Sequence, residues 1–536
     1  MASGLAARNG GWIGLVALVA VLLLGLGLRL GEAWDGRAPV YDAKAYAAIA
    51  RNLDEGNGFT VGATASQPSS NYSPGLPLFV AGLYGGAGGV HERLARVVLA
   101  VVGAMSVLFA YAIGRRLGRP LQQPRASEVV GVPAPQRSLN KPAYRRDWRN
   151  PRMRSGERRT ERGKDAGRPN SSAIWPTEDA APRSVRRRQA RAGVSPVPHR
   201  RNSSASVWPA LVGALVVAVY PALLEYQGML MSEPLAATVL SGGVLAVLWA
   251  WEGRRARWVL PGALFGGLAL VRPEYLGVAI LVAVVIFARE AKRGWRHSLL
   301  DAAVFLAALV VFIAPWTIRN AVALDRFVPI STGGGQVLFA GTYLPSDGDP
   351  EKVGREVVAE NPHLFAPDAA QHLRLEQILS RLAHSLYPAM ASDQALSKMG
   401  KEQFWTDITE EPWEYAGFVA TKIGRIWSHG PRKVMREPVW EVLHRALVAL
   451  GLLGLAILAW RRRWEALLLG TIFLAITAIS ALLVASPRRV LVLVPLLSAL
   501  ASVAIAWIAT RLVSSPAYSR ANSPIAPEHT STLGAP

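Results

Sequence analysis

The sequence predicts an all-α polytopic membrane protein with about ten transmembrane helices, interfacial helices in the first outer loop and a modest outer segment. Three observations predict it. Hydrophobic residues make up 51% of the 536 positions, and they stand in blocks of roughly 17–25, the length that crosses a bilayer. Lys and Arg gather at alternate block ends, as cytoplasmic loops require. The chain has no Cys, which excludes disulfides and Cys-ligated metal sites.

The blocks follow in order. The first covers 12–30. Its leading region holds Arg8 alone and no small-x-small cleavage site follows, so it reads as a retained span rather than a signal peptide. The second, 93–114, ends in "GRRLGR". The third, "VWPALVGALVVAVYPALL", starts at 207. The fourth follows "SEPL" and ends at "WEGRRARW". Two shorter runs flank "VRPEY" at 271–275, and the seventh span ends in "APWTIRN". Three more follow 438, separated by "RRRW" and "SPRR". With "GRRLGR", "EGRRARW", "REAKRGWRH" and "RRR" on the cytoplasmic side, the first loop, "SEPL", "RPE", "WTIRN" and the segment 319–438 fall outside. Both termini fall inside. Arg488 and Arg489 land on the outer side, against the charge rule.

This gives six stretches. Residues 1–119 hold two spans and an outer loop, and 206–318 hold spans three to seven. Residues 319–438 form an outer loop segment, and 439–512 the last three spans. Residues 120–205 carry about 20 Lys and Arg against about 7 Asp and Glu, more than half of the net charge of +22. Such a stretch buries too little apolar surface to fold alone, so it is expected to be a disordered cytoplasmic insertion touching anionic lipid. Nucleic-acid binding is not expected. The tail 513–536 is expected to be disordered too. No Walker sequence and no internal repeat appear, which argues against an ATP-driven pump.

Polar residues in membrane segments mark function. Here they fall on the outer face: Asp42, Lys44 and Tyr46; Glu225 and Glu233; Arg272 and Glu274; Arg319 and Asn320; Arg488 and Arg489. A carboxylate near a hydroxyl can act as general base, and arginines can grip phosphate oxygens in pairs. Each residue also has a plainer reading. Asp42 suits a helix start, with Ala43, Tyr46, Ala47, Ala50 and Leu53 on one face. Arg272 and Glu274 suit a mutual pair, Arg319 a snorkelling span end, and Glu233 a first-turn acid. "NYSPGLPLFVAGLYGG" is short and proline-broken, as an interfacial or re-entrant helix would be. "PISTGGGQVLFAGTY" has three adjacent glycines, which suit close approach to a ligand or a plain turn. Trp405, Trp413 and Trp427 in the outer segment are candidates for stacking on sugar.

"YDAKAYAAIARNL", "SNYSPGLPLFVAGLY", "LMSEPLAATVL", "GLALVRPEYL", "PWTIRNAVALDRFVPISTGGG", "YAGFVATKIGRIWS" and "SPRRVLVLVPLL" together resemble the membrane-embedded glycosyltransferases of the C superfamily. The family-39 group, which is protein-mannosyltransferase-like and aminoarabinose-transferase-like, is the nearest in look. These stretches span most of 12–511. The resemblance implies an inverting transfer from a polyprenyl-phosphate sugar donor to a glycan, lipid or protein acceptor on the outer face of the cell membrane. It implies Asp42 as catalytic base and Glu233 in the place of a second acidic motif. Arg272, Arg319, Lys422, Arg488 and Arg489 become candidates for the donor phosphate. The family often has two adjacent acids in the first loop. Here Ala43 follows Asp42, so Glu233 or Glu274 would fill the second role. Asp42 with Glu233 offers carboxylates for a divalent ion, but the resemblance implies no metal and no other cofactor. The basic insertion lies outside the family core, and the C-terminal outer domain of larger members is missing. A non-enzymatic lipid or solute transporter is the rival class; it predicts polar residues along mid-span and a repeat.

Overall fold

A computed structural model of the chain describes residues 2–37, 39, 42–62, 69–118, 207–346, 349 and 352–513. The basic insertion and the tail beyond 513 therefore lie outside the described residues. All regular structure among the described residues is helical, and the chain is an all-α polytopic membrane protein.

In order, the helices are α1 (Ala2–Asp35), α2 (Asp42–Asp54), α3 (Gly75–Ala87), α4 (Glu92–Gly118), α5 (Val207–Val219), α6 (Pro221–Gly228) and α7 (Ser232–Ala250). There follow α8 (Val259–Val271), α9 (Tyr275–Glu290) and α10 (Trp295–Leu324). The segment 334–428 holds α11 (Gly334–Thr342), α12 (Val353–Glu360), α13 (Ala369–His372), α14 (Leu375–Leu386), α15 (Ser392–Glu410) and α16 (Pro412–Ser428). The chain then runs through α17 (Pro438–Trp460), α18 (Trp464–Leu482) and α19 (Arg488–Val513).

Helical elements stand where the sequence places its ten blocks, but not all are full spans. Among the described residues seven helices are long and apolar enough to cross a membrane, or eight if α5 and α6 form one span bent by 41°. The two runs around "VRPEY" give α8 and α9, of 13 and 16 residues. At about 1.5 Å per residue these are shorter than a hydrocarbon core of roughly 30 Å. The proline-broken run of the first loop gives α3, an apolar helix of 13 residues that is shorter than a span.

Proline sets the breaks. Pro221 at the first position of α6 ends α5, because it lacks the N–H that would continue the ladder. The orphaned carbonyls of Val217 and Ala218 accept from Arg29 at 3.0 and 3.1 Å. Arg29 belongs to α1 and is buried. Pro273 ends α8 in the same manner: the preceding residue, Arg272, is extended at φ −144°, ψ 104°, as a residue before proline prefers.

Helix α19 forms the centre. It packs on α4, α5, α7 and α17, and Val490 to Leu500 are buried on nearly every side, which suits its unbroken apolar run. A Cβ at Gly454 would run into the Leu500 carbonyl, so glycine there lets α17 and α19 approach closely. By contrast α1 leaves Trp12, Val16, Val19 and Leu23 exposed, as a lipid-facing helix does. The segment 334–428 has its own small core, with Phe339, Val353, Val357, Ile378, Leu379 and Leu396 buried together.

Candidate active site

Four helices begin at one place. Asp42 stands in the first turn of α2, Glu233 in the first turn of α7, Arg488 and Arg489 at the start of α19, and Arg272 and Glu274 at the α8–α9 joint. A proline lies next to or near each of the last three positions (Pro234, Pro487, Pro273), so helix ends are fixed where the charges sit.

The six charges alternate in sign along one chain of ion pairs. Arg488 Nη2 donates to Asp42 Oδ2 at 3.0 Å, and its Nε to Glu233 Oε1 at 2.5 Å. Glu233 Oε1 also faces Arg272 Nη1 at 3.2 Å. Arg272 Nε donates to Glu274 Oε1 at 2.8 Å, and Arg489 Nε lies 3.9 Å from the same oxygen. Arg489 also donates to the Val484 carbonyl. The chain runs from open to closed: the Asp42 side chain is 42% exposed, that of Glu233 0%. Arg488 lies over the Tyr226 ring at 6.0 Å.

Tyr46 is buried beside this chain. Burial, and then the Asp42 charge, raise its phenol above the ordinary value, so its hydroxyl stays protonated. Its ring meets Tyr72 edge-on, with centroids 6.0 Å apart. Lys44 is exposed and makes no ion pair among the described residues.

The other expected residues lie elsewhere. Arg319 donates to the Ser69 carbonyl at 3.2 Å and to Asn320 Oδ1 at 3.0 Å, and lies over Trp316. It thereby ties α10 to the first outer loop. Lys422, 1% exposed, donates to the Gly341 and Ala481 carbonyls at 2.5 Å each. Burial, and then Arg489, lower its ammonium from 10.5 to about 7. Glu225 holds Arg37 at 2.9 Å and Arg432 at 2.6 Å. The glycine run serves the protein's own packing: a Cβ at Gly335 would strike the Asp393 carbonyl, and Gly335 N donates to Asp393 Oδ1 at 2.8 Å.

Of the three tryptophans, Trp427 turns inward to Phe473 and donates to Thr477 Oγ1 at 3.2 Å. Trp405 and Trp413 are exposed on α15 and α16. The ring that packs on Tyr46 is Tyr72, which composition did not single out. Burial, then Glu376, then Asp42 push its phenol up to about 12. Arg29 and Tyr226 were also hidden, one inside an apolar block and one in a helix too short to read. Among the described residues no cluster of three or more His, Asp or Glu is arranged to hold a metal; arginines separate the three acids of the chain.

No family model matches the chain, and no curated protein matches it. Among solved structures it is similar to the archaeal oligosaccharyltransferase AglB from Archaeoglobus fulgidus in complex with an inhibitory peptide and a dolichol-phosphate. The TM-score is 0.48 at 14% identity, over 96% of this chain and 52% of that one. The Archaeoglobus fulgidus oligosaccharyltransferase in complex with Zn and sulfate gives 0.45 and 14%, over 93% and 49%. The chain spans about half the length of each.

Proposed function

We propose that the protein is a glycosyltransferase that moves a sugar from a polyprenyl-phosphate donor to a hydroxyl acceptor on the extracytoplasmic face, with Asp42 as general base. The acceptor is a glycan, a lipid or a protein. The observation that carries this reading is the sharing of Arg488 between an open carboxylate, Asp42, and a buried one, Glu233. The order of family-like segments and the Lys/Arg pattern of the loops agree with it.

The charges explain how such a site works. The acceptor oxygen attacks C1 of the donor sugar, the C1–O bond to phosphate breaks, and the electron pair leaves on the phosphate oxygen. The acceptor proton passes to Asp42. The phosphate diester becomes a monoester and gains one negative charge while Asp42 loses one. Arg488 is thereby released from Asp42 as the new charge appears, and it serves that charge without a net change at the site. Glu233 stays ionised and keeps Arg488 in place. The N-terminal ends of α2, α7, α9 and α19 add positive partial charge.

The test is release of polyprenyl phosphate from a panel of radiolabelled polyprenyl-phosphate sugars by purified protein in lipid, with acceptor-containing membrane extract. Turnover by wild type and not by Asp42→Asn supports the reading. Turnover by both moves the base elsewhere. No turnover, together with solute or lipid flux, selects the transporter instead.

A further inference from the structure

Tyr72 meets Tyr46 edge-on with ring centroids 6.0 Å apart, and Tyr46 lies one turn along α2 from Asp42; the charges of Glu376, Asp42 and Arg374 all act on the Tyr72 phenol. Its neighbour Asn71 donates Nδ2 to Glu376 Oε1 at 3.2 Å, so the first outer loop and the start of α14 meet in one patch. The patch is braced from behind. Thr332 donates Oγ1 to Asn71 Oδ1 and its backbone N–H to the Ser70 carbonyl, both at 2.8 Å. Asn71 and Arg374 are exposed, and Tyr72 and Glu376 half-buried. Tyr72 packs against the core with part of its ring, edge-on to Tyr46, while Asn71 and Arg374 take no part in the apolar core.

We infer that Asn71, Tyr72, Arg374 and Glu376 form the acceptor subsite and that the acceptor is a saccharide; this rests on Asp42 acting as the base. A sugar has an apolar C–H face and a rim of hydroxyls that donate and accept. A half-open aromatic ring suits the face. The carboxylate of Glu376 accepts, the guanidinium of Arg374 donates, and the Asn71 amide does both. An acyl chain is the wrong occupant, because it would strip water from polar groups without replacing their hydrogen bonds. A peptide is recognised by a strand edge or an apolar groove, and no strand exists among the described residues. The hydroxyl that gives its proton to Asp42 belongs to the sugar seated on Tyr72. Its oxygen forms the new bond to C1 as the C1–O–phosphate bond breaks.

The experiment is saturation-transfer NMR on the full chain in lipid nanodiscs, with neutral hexose and pentose oligosaccharides as probes. Wild type is compared with Tyr72→Leu, Tyr72→Phe and Glu376→Gln, and donor turnover is followed in parallel. At least one probe binds wild type, Tyr72→Leu weakens it about tenfold, and Tyr72→Phe stays within about threefold. If Tyr72→Leu does not fold, Glu376→Gln reads the same patch and loses on the order of tenfold. Equal binding by wild type and all variants overturns the subsite, as does a failure of every probe. Tyr72-dependent binding of a Ser/Thr-rich peptide with no saccharide bound overturns the sugar assignment. Tyr72-dependent sugar binding without donor turnover overturns the transfer reading, and with it the acceptor role, and leaves the patch a saccharide-binding site.

Discussion

Arg488 donates to Asp42 at 3.0 Å across 446 positions of sequence. The pairing joins the first turns of α19 and α2. A cation in the first turn of a helix opposes the macrodipole, and α19 has two, Arg488 and Arg489. Asp42, Glu233 and Glu274 offset them. The helix end alone would favour acids or neutral caps at that position, so it is these three carboxylates that hold the arginines there.

Because Asp42 and Arg488 are partly exposed, their pair contributes at most about 1 kcal/mol to stability. Asp42→Asn should therefore leave the thermal midpoint in nanodiscs nearly unchanged. Sugar transfer should fall by roughly 10²–10⁴, the usual contribution of a general base. A large loss of stability with proportionate loss of activity would instead make Asp42 a structural residue.

Glu233 should behave in the opposite way. It is wholly buried and faces two arginines with one oxygen. Glu233→Gln removes the one wholly buried carboxylate between Arg488 and Arg272, leaving these to Asp42 and Glu274 alone, and should cost on the order of 3 kcal/mol. The double variant Glu233→Gln with Arg272→Met should recover part of that loss, because a missing pair costs less than half a pair. Denaturation midpoints of the four members of the cycle measure this; strict additivity would refute the coupling.

Much of this architecture was legible in the chain. The block lengths and the alternating Lys/Arg ends place each helix from α4 to α19 that carries a site residue. "SPRR" stood out against the expected charge rule, and its two arginines are the second and the last members of the ion-pair chain. The remainder was not legible for physical reasons. Arg319 and Lys422 have the right chemistry for phosphate, but backbone carbonyls take their donors, and only folding decides which carbonyls are near. The apolar runs at α8 and α9 read as spans until their length is measured across Pro273. Tyr72 gains its meaning from Asp42 and Glu376, neither of them a neighbour in sequence.

Arg29 offers a prediction without any chemistry. It satisfies the two carbonyls left by the α5–α6 break. Arg29→Met orphans both, each at about 1–3 kcal/mol. The thermal midpoint should fall well below that of wild type while the donor KM of the surviving protein stays unchanged. Arg29→Lys, whose compact ammonium lacks the planar fork, should fall between the two. A changed donor KM would mean that the break itself shapes the site.

Lys422 gives a pH dependence whose sign can be worked out. Its folded pKa, about 7, lies below the ordinary 10.5, because burial and then Arg489 disfavour the charge. Between these two values the unfolded chain binds more protons than the folded one, so stability rises with pH across that window. Below about 7 both states are protonated and the full penalty of the buried charge remains. The hydrogen bonds do not reverse this, since a neutral amine still has two N–H groups for the Gly341 and Ala481 carbonyls. These carbonyls lie near the C-terminal ends of α11 and α18, so the amine joins α16 to both helices in either state. The difference in thermal midpoint between wild type and Lys422→Met, measured in nanodiscs, should therefore grow in favour of wild type from pH 7 to pH 10.5. A difference that is flat across this range would mean that Lys422 keeps an ordinary pKa and that Arg489 does not feel its charge.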